Sequence, residues 1–366
     1  MWGKMDKYIF KEQKIKNEYK YVFLCGSYYD KKNHNDKRKV LRRYLEETNE
    51  NIKAIILEEN FVFGKDSKTS LVYDDIHMKD LYQVEMLMNY LSDNILIIHE
   101  SISTGAETGL FLSEEASLDK TCLLIPDRMA VEEDKLGQFL RLAFTVGKKR
   151  LKIIEFYPRI ESNVTSENVR RWHTYFYDNV VGETLGNRIS GFLKNTHGVD
   201  RIKFAKKASK TEQGEIYYKI KGEKLEIVIK PRVLLTCIAA LFNIDEVEKD
   251  VFSGDSKSLG EYIQGIKTHM ERLFINTIEE KSGAEISSCS IIPKLNVKEV
   301  YIGKIIGMCL YLFQAANFIE IKKDKDYPIT KKVSMSRKVI SENSSEAFFY
   351  HKYRNCIQKA IDIQIG

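Results

Sequence analysis

His99-Glu100-Ser101-Ile102-Ser103-Thr104-Gly105-Ala106-Glu107-Thr108-Gly109 sets a carboxylate among small residues, directly after the apolar run Asn94-Ile95-Leu96-Ile97-Ile98. Small residues let a ligand approach the backbone closely. A helix starting here would aim its first N–H groups at that ligand. Glu107, in such a setting, has the chemistry to attack a sugar anomeric carbon and form a covalent glycosyl intermediate. The same letters admit a plainer reading. Thr104-Gly105-Ala106-Glu107 fits the S/T-x-x-E capping box, in which Glu107 would only bond the N-cap amide. Such boxes are common, and on local sequence alone the cap is the favoured explanation.

Other reactive groups are weaker candidates. Ser27 and Tyr28 follow an apolar strand and could contact a phosphate or ribose. His99 reads as a strand-end histidine rather than a general base. Asp74 and Asp75 read as a solvated helix N-terminus. Arg38, Arg42 and Arg43 read as the charged surface of a helix, and Cys25 as a core residue, since no basic partner is evident for it. The six cysteines and seven histidines show no CxxC, HExxH or Cys/His spacing, so neither a metal site nor a disulfide framework is expected.

These residues need a scaffold, and the first 150 residues supply strand–helix alternation. Tyr21–Ser27, Lys53–Glu59, Asn94–Glu100 and Thr121–Asp127 read as strands, with amphipathic helices between them. Apolar strands alternating with helices predict a parallel sheet covered on both faces, with ligands at the carboxyl ends of the strands. A mainly helical stretch follows over 151–214. Residues 215–230 alternate about Gly222 as a hairpin, and Pro231 opens an apolar helix. Over 297–336 a helix runs into two strand-like segments flanking Lys325–Pro328, the ending of a winged helix-turn-helix. Lys322, Lys323, Lys325, Lys331 and Lys332 would decorate that wing, suited to nucleic-acid phosphates; a solvated hairpin is the alternative.

The 366 residues suffice for two or three domains. Hydrophobic residues at 43% and charged residues at 30% exclude long disorder, and a net charge of +6 is too mild to establish a nucleic-acid binder by itself. No signal-peptide core and no run of ~20 apolar residues is present, so a cytoplasmic protein without a membrane association is expected.

Four motifs in order resemble the nucleoside 2-deoxyribosyltransferase fold. They are the strand and glycine turn Phe23-Leu24-Cys25-Gly26-Ser27, the helical Glu85, Asp93 before the strand Asn94–Ile98, and Glu107-Thr108-Gly109 as Glu-x-Gly. The resemblance implies that Glu107 is the nucleophile and that Glu85 helps hold the base or ribose. Gly26, Ser27, Tyr28, Glu100, Ser101, Thr104 and Gly105 would line the substrate. Two departures count against ordinary deoxynucleoside exchange. Ser101 stands where transferases carry an Asp six residues before the nucleophile, with Glu100 one step earlier, and Phe23 replaces an expected aromatic hydroxyl. The departures fit a narrower group, the toxic effectors of bacterial retron anti-phage systems, which join such a domain to a C-terminal winged helix. Those effectors resemble this chain at Phe23-Leu24-Cys25-Gly26, at Glu100-Ser101 and at Glu107-Thr108-Gly109.

That resemblance implies an α/β, Rossmann-like parallel sheet of the nucleoside deoxyribosyltransferase type over 1–150. A helical connector over 151–214 and a helical domain with a winged-helix element over 215–366 would complete the chain. It implies an N-glycosidase whose substrate, rather than cofactor, is NAD or a related nucleotide. A carboxylate beneath the sugar stabilises the oxocarbenium-like transition state, covalently or electrostatically, and cationic nicotinamide leaves without a general acid. The implied partners are a retron reverse transcriptase and its multicopy RNA–DNA hybrid, with room for a homo-oligomer or filament. A metabolic deoxyribosyltransferase and a non-catalytic nucleotide sensor fused to a DNA-binding regulator are the alternatives.

Overall fold

Short apolar runs rich in Ile, Val and Leu pack best on a pleated surface buried on both faces, and several such runs assemble here into one sheet. The computed structural model describes residues 7–27, 36–60, 81–126, 151–156, 176, 180–195, 198–206, 216–296, 300–323, 331–335 and 349–360. Contacts divide the chain into two units. One comprises Tyr19–Val62 and Ser92–Gly198; the other comprises Met1–Glu18, Phe63–Leu91 and Val199–Gly366.

Strand β1 (Tyr8–Phe10) belongs to the second unit. The first unit is built on β2 (Lys20–Cys25), β3 (Ile52–Ile55), β4 (Asn94–Ile98), β5 (Thr121–Pro126) and β6 (Lys152–Phe156). They form a five-stranded sheet in the order β3-β2-β4-β5-β6, parallel at every pairing. The expected parallel sheet is therefore present. Its fifth strand, β6, falls in the stretch read from sequence as a helical connector, where Lys152–Phe156 is too short a run for its strand period to stand out.

Helix α1 (Lys37–Thr48) follows β2, and the single turn α2 (Leu57–Asn60) follows β3. Helix α3 (Leu81–Leu91) groups with the second unit. Helix α4 (Ile102–Leu112) follows β4, the short α5 (Glu115–Leu118) comes next, and α6 (Glu183–Lys194) closes the first unit. One sheet face, through Val22, Leu24, Leu96, Ile98 and Leu124, shares a core with Val40, Leu41 and Leu45 of α1 and Leu185, Ile189 and Phe192 of α6. Helix α4 packs on the opposite face, where the Phe111 and Phe23 rings meet edge-on at 5.8 Å.

In the second unit a four-stranded sheet runs β10 (Ser288–Pro293), β9 (Lys224–Ile229), β8 (Ile216–Lys221), β7 (Phe204–Lys206). The expected hairpin is β8–β9, turning at Gly222, whose φ of 61° suits glycine. Pro231 opens the buried helix α7 (Pro231–Leu241), and α8 (Leu259–Ser282) begins with a Ser258–Glu261 capping box. Helix α9 (Ile302–Ala315) leads into the antiparallel ribbon β11 (Ile319–Lys323) and β12 (Lys331–Met335). Strand β13 (Ile357–Lys359) pairs with β1, which brings Tyr8–Phe10 and Ile357–Lys359 together in this unit. Among the described residues, no helix is long and apolar enough to cross a membrane.

Candidate active site

The strand order read from the first sheet strand is second, first, third, fourth, fifth. In such sheets the connections from the two central strands leave towards opposite faces and open a crevice at their carboxyl ends, where ligands bind. Here those strands are β2 and β4, paired with Cys25 opposite Ile97. Gly26 and Ser27 follow one strand; His99, Glu100 and Ser101 follow the other.

Serine 101, not Thr104, is the N-cap of α4. Its backbone is extended (φ −141°, ψ 167°), and its hydroxyl accepts from Thr104 N at 3.4 Å. Thr104 Oγ1 in return accepts from Ser101 N at 3.1 Å and donates to the Ser101 carbonyl at 2.7 Å. The expectation that Thr104 and Glu107 form a capping box is thereby corrected. The helix starts three residues earlier, because Ser101 already offers a short hydroxyl with the right backbone, and Glu107 lies a full turn beyond the capped amides. In a helix the Cα–Cβ bond tilts towards the N-terminus, so Glu107 starts out from α4 in the direction of its capped first turn. It is half-buried, and its Oε2 is buried.

The remaining expected site residues divide by what they touch. Glu100 forms an ion pair with Lys37 at the start of α1, whose Nζ also lies 5.3 Å from the Phe156 ring centroid. Thr104 is fully buried and spent on the cap. Gly105 lies over His99: a Cβ placed there would meet His99 Cε1 at 3.6 Å, an ordinary contact. His99 is buried, and its N–H donates to the Leu124 carbonyl at 2.9 Å as a continuation of the ladder. Gly26, Ser27, Glu100, Ser101, Thr104, Gly105 and Glu107 thus come from the two segments that follow adjacent strands. Glu85 lies on α3, which groups with the second unit. Tyr28, Asp74, Asp75 and Lys325 lie outside the described residues. Asp93 sits at the amino end of β4, away from the crevice, where its Oδ2 accepts from Tyr21 N at 2.9 Å and sets the register of β2 against β4.

Arg38, read from sequence as surface charge, is 2% exposed. Its Nη1 donates to Glu58 at 2.7 Å and its Nη2 to the Ser27 carbonyl at 2.6 Å. Burial opposes its charge, but Glu58 and Asp36 outweigh that and hold its pKa above the usual value. The signal was present: 38, 41 and 45 recur at i, i+3 and i+7, which puts Arg38 on the same stripe as Leu41 and Leu45. Arg42 pairs with Glu59, and Arg43 is exposed as expected.

In the second unit, Ile321 and Val333 face each other across the β11–β12 ribbon and are buried. On the neighbouring rung Lys322 stands opposite Lys332, both exposed, and Lys323 pairs with Lys331 in the next register position. Glu320 neutralises part of this charge through an ion pair with Lys322 at 3.0 Å. Among the described residues no group of three or more His, Cys, Asp or Glu side chains could hold a metal ion.

A model of the family described as STM3845 retron effector protein matches residues 34–320. No curated protein matches the chain.

Proposed function

The chain belongs to the STM3845 retron effector family, and from that premise we propose that it acts in anti-phage defence by cleaving an N-glycosidic bond of NAD or a related nucleotide, with Glu107 as nucleophile. One observation carries the reading. Glu107 lies on α4, the helix that follows β4, half-buried with a buried Oε2, while Ser101 and Thr104 make the cap that would otherwise account for it.

The chemistry is balanced with few parts. As the C1′–N bond breaks, its electron pair neutralises the nicotinamide ring, which needs no proton to depart. Positive charge grows on the sugar, and the Glu107 carboxylate stabilises it or closes a C1′–O bond to give a glycosyl ester. Water then attacks C1′, loses a proton to solvent and returns the carboxylate. The α4 N-terminus would face the substrate's phosphates with its first N–H groups. The lysines of the β11–β12 ribbon would contact nucleic-acid phosphates as a wing, and family membership supports a retron partner such as the reverse transcriptase with its RNA–DNA hybrid.

The test is Glu107→Gln beside the wild type, with NAD and deoxynucleosides as substrates and a melting curve for each protein. Since the cap does not use Glu107, the expected result is an unchanged Tm and a loss of NAD cleavage of at least ~10³-fold. Equal activity in both proteins would remove Glu107 from the mechanism. Cleavage confined to deoxynucleosides would favour a transferase, and tight NAD binding without turnover a sensor.

A further inference from the structure

We infer that Arg38 is a positioning residue for this site: it fixes the Gly26–Ser27 turn at the end of β2, so that substrate affinity depends on a side chain that does not itself touch substrate. The inference rests on the reading of the β2/β4 crevice as the substrate site.

Three observations converge on Arg38. The first is steric. A Cβ added at Gly26 would lie 2.9 Å from Arg38 Cδ, 3.1 Å from Nε and 3.2 Å from Cγ, so the arginine stem occupies the space that any other residue at 26 would need. The second is directional. Nη2 donates to the Ser27 carbonyl at 2.6 Å, and a guanidinium is a rigid planar fork, so that carbonyl is held in one orientation. The third is anchorage. Nη1 binds Glu58 of α2 at 2.7 Å, and Nε and Nη2 reach Asp36, the N-cap of α1, at 3.4 and 3.3 Å. One side chain therefore ties the end of β2 to the segments that follow β2 and β3.

Stability alone is a poor reason for this arrangement. Burying a guanidinium, even one paired with Asp36 and the exposed Glu58, is often no better than apolar packing of the same volume. What the ionic cluster adds is a single conformation for the turn beside the crevice. The same contacts commit guanidinium donors to Asp36, Glu58 and Ser27, which suits Arg38 to positioning rather than to phosphate binding.

The experiment compares Arg38→Lys, Arg38→Ala, Gly26→Ala and the double variant Gly26→Ala/Arg38→Ala in the full chain. Lysine keeps the charge but lacks the fork. With NAD as substrate, Arg38→Lys is expected to raise KM by about tenfold or more with kcat within about threefold, because a misplaced binding loop costs affinity before chemistry. Gly26→Ala should do likewise, and the double variant should be no worse than Arg38→Ala, since the alanine methyl then occupies vacated space. An unchanged KM in Arg38→Lys, or losses that add in the double variant, would overturn the inference. If the wild type cleaves neither NAD nor deoxynucleosides, the site reading fails separately, and hydrogen exchange decides for Arg38. Faster exchange in Arg38→Lys confined to a peptide ending at Ser27, with Tm held, supports the positioning role. Unchanged exchange there, or exchange raised throughout the unit, removes it.

Discussion

Replacing Ser101 with alanine deletes the hydroxyl that accepts from Thr104 N at the start of α4. The expected cost is about 1 kcal/mol, seen as a lower Tm with the fold intact. Gly105→Ala should be close to neutral in Tm, since a methyl there meets His99 Cε1 at an ordinary 3.6 Å. An unchanged Tm in Ser101→Ala would mean that the cap of α4 does not depend on this hydroxyl. At this scale the sequence was legible wherever a residue type has few uses. A lone glutamate in a run of small residues at a strand end drew attention to Glu107, while its cap partner was ambiguous, because Ser101 and Thr104 both fit the N-cap. Arg38 reads as surface in sequence because arginine is seldom buried without partners, and its partners Glu58 and Ser27 are 20 and 11 residues away.

Among the elements, the β11–β12 ribbon places Lys322 directly opposite Lys332, a like-charge pairing that costs stability in isolation. A polyanion laid across it would relieve that cost. In Lys322→Glu/Lys332→Glu, the slope of log affinity for an RNA–DNA hybrid against log salt concentration should become shallower by roughly two phosphate contacts, with Tm little changed because both lysines are exposed. An unaltered slope would detach the ribbon from nucleic acid. The ribbon and the Gly222 hairpin were visible in sequence because their partners are close neighbours and their turns carry glycine or proline. The sheet was visible as strand–helix alternation. Strand β10 was not: it pairs in parallel with β9 across α7 and α8, and a parallel partner so far away leaves no local mark.

On the scale of the whole chain, β1 and β13 pair Tyr8 with Lys359 and Phe10 with Ile357. Phe10 is buried against Phe274, its ring 5.5 Å away, and its N–H donates to Thr277 Oγ1 at 2.9 Å. Phe10→Ala is expected to cost about 3–5 kcal/mol. Hydrogen exchange should rise in β1, α8 and β13 while β2, β4 and β5 keep their protection; equal loss in both units would show that they unfold as one. Sequence carries no hint of this closure: strand–helix alternation stops near 150, and contact between segments about 350 residues apart has no periodicity to read. Its consequence lies in the order of synthesis. The α/β unit is complete at Gly198, whereas β13 emerges about 160 residues later, a delay of roughly 8–30 s at ribosomal speeds of about 5–20 residues per second. Strand β1 therefore waits for a partner made long after it, and the nascent chain must carry Tyr8–Phe10 unpaired through the synthesis of everything between the two strands.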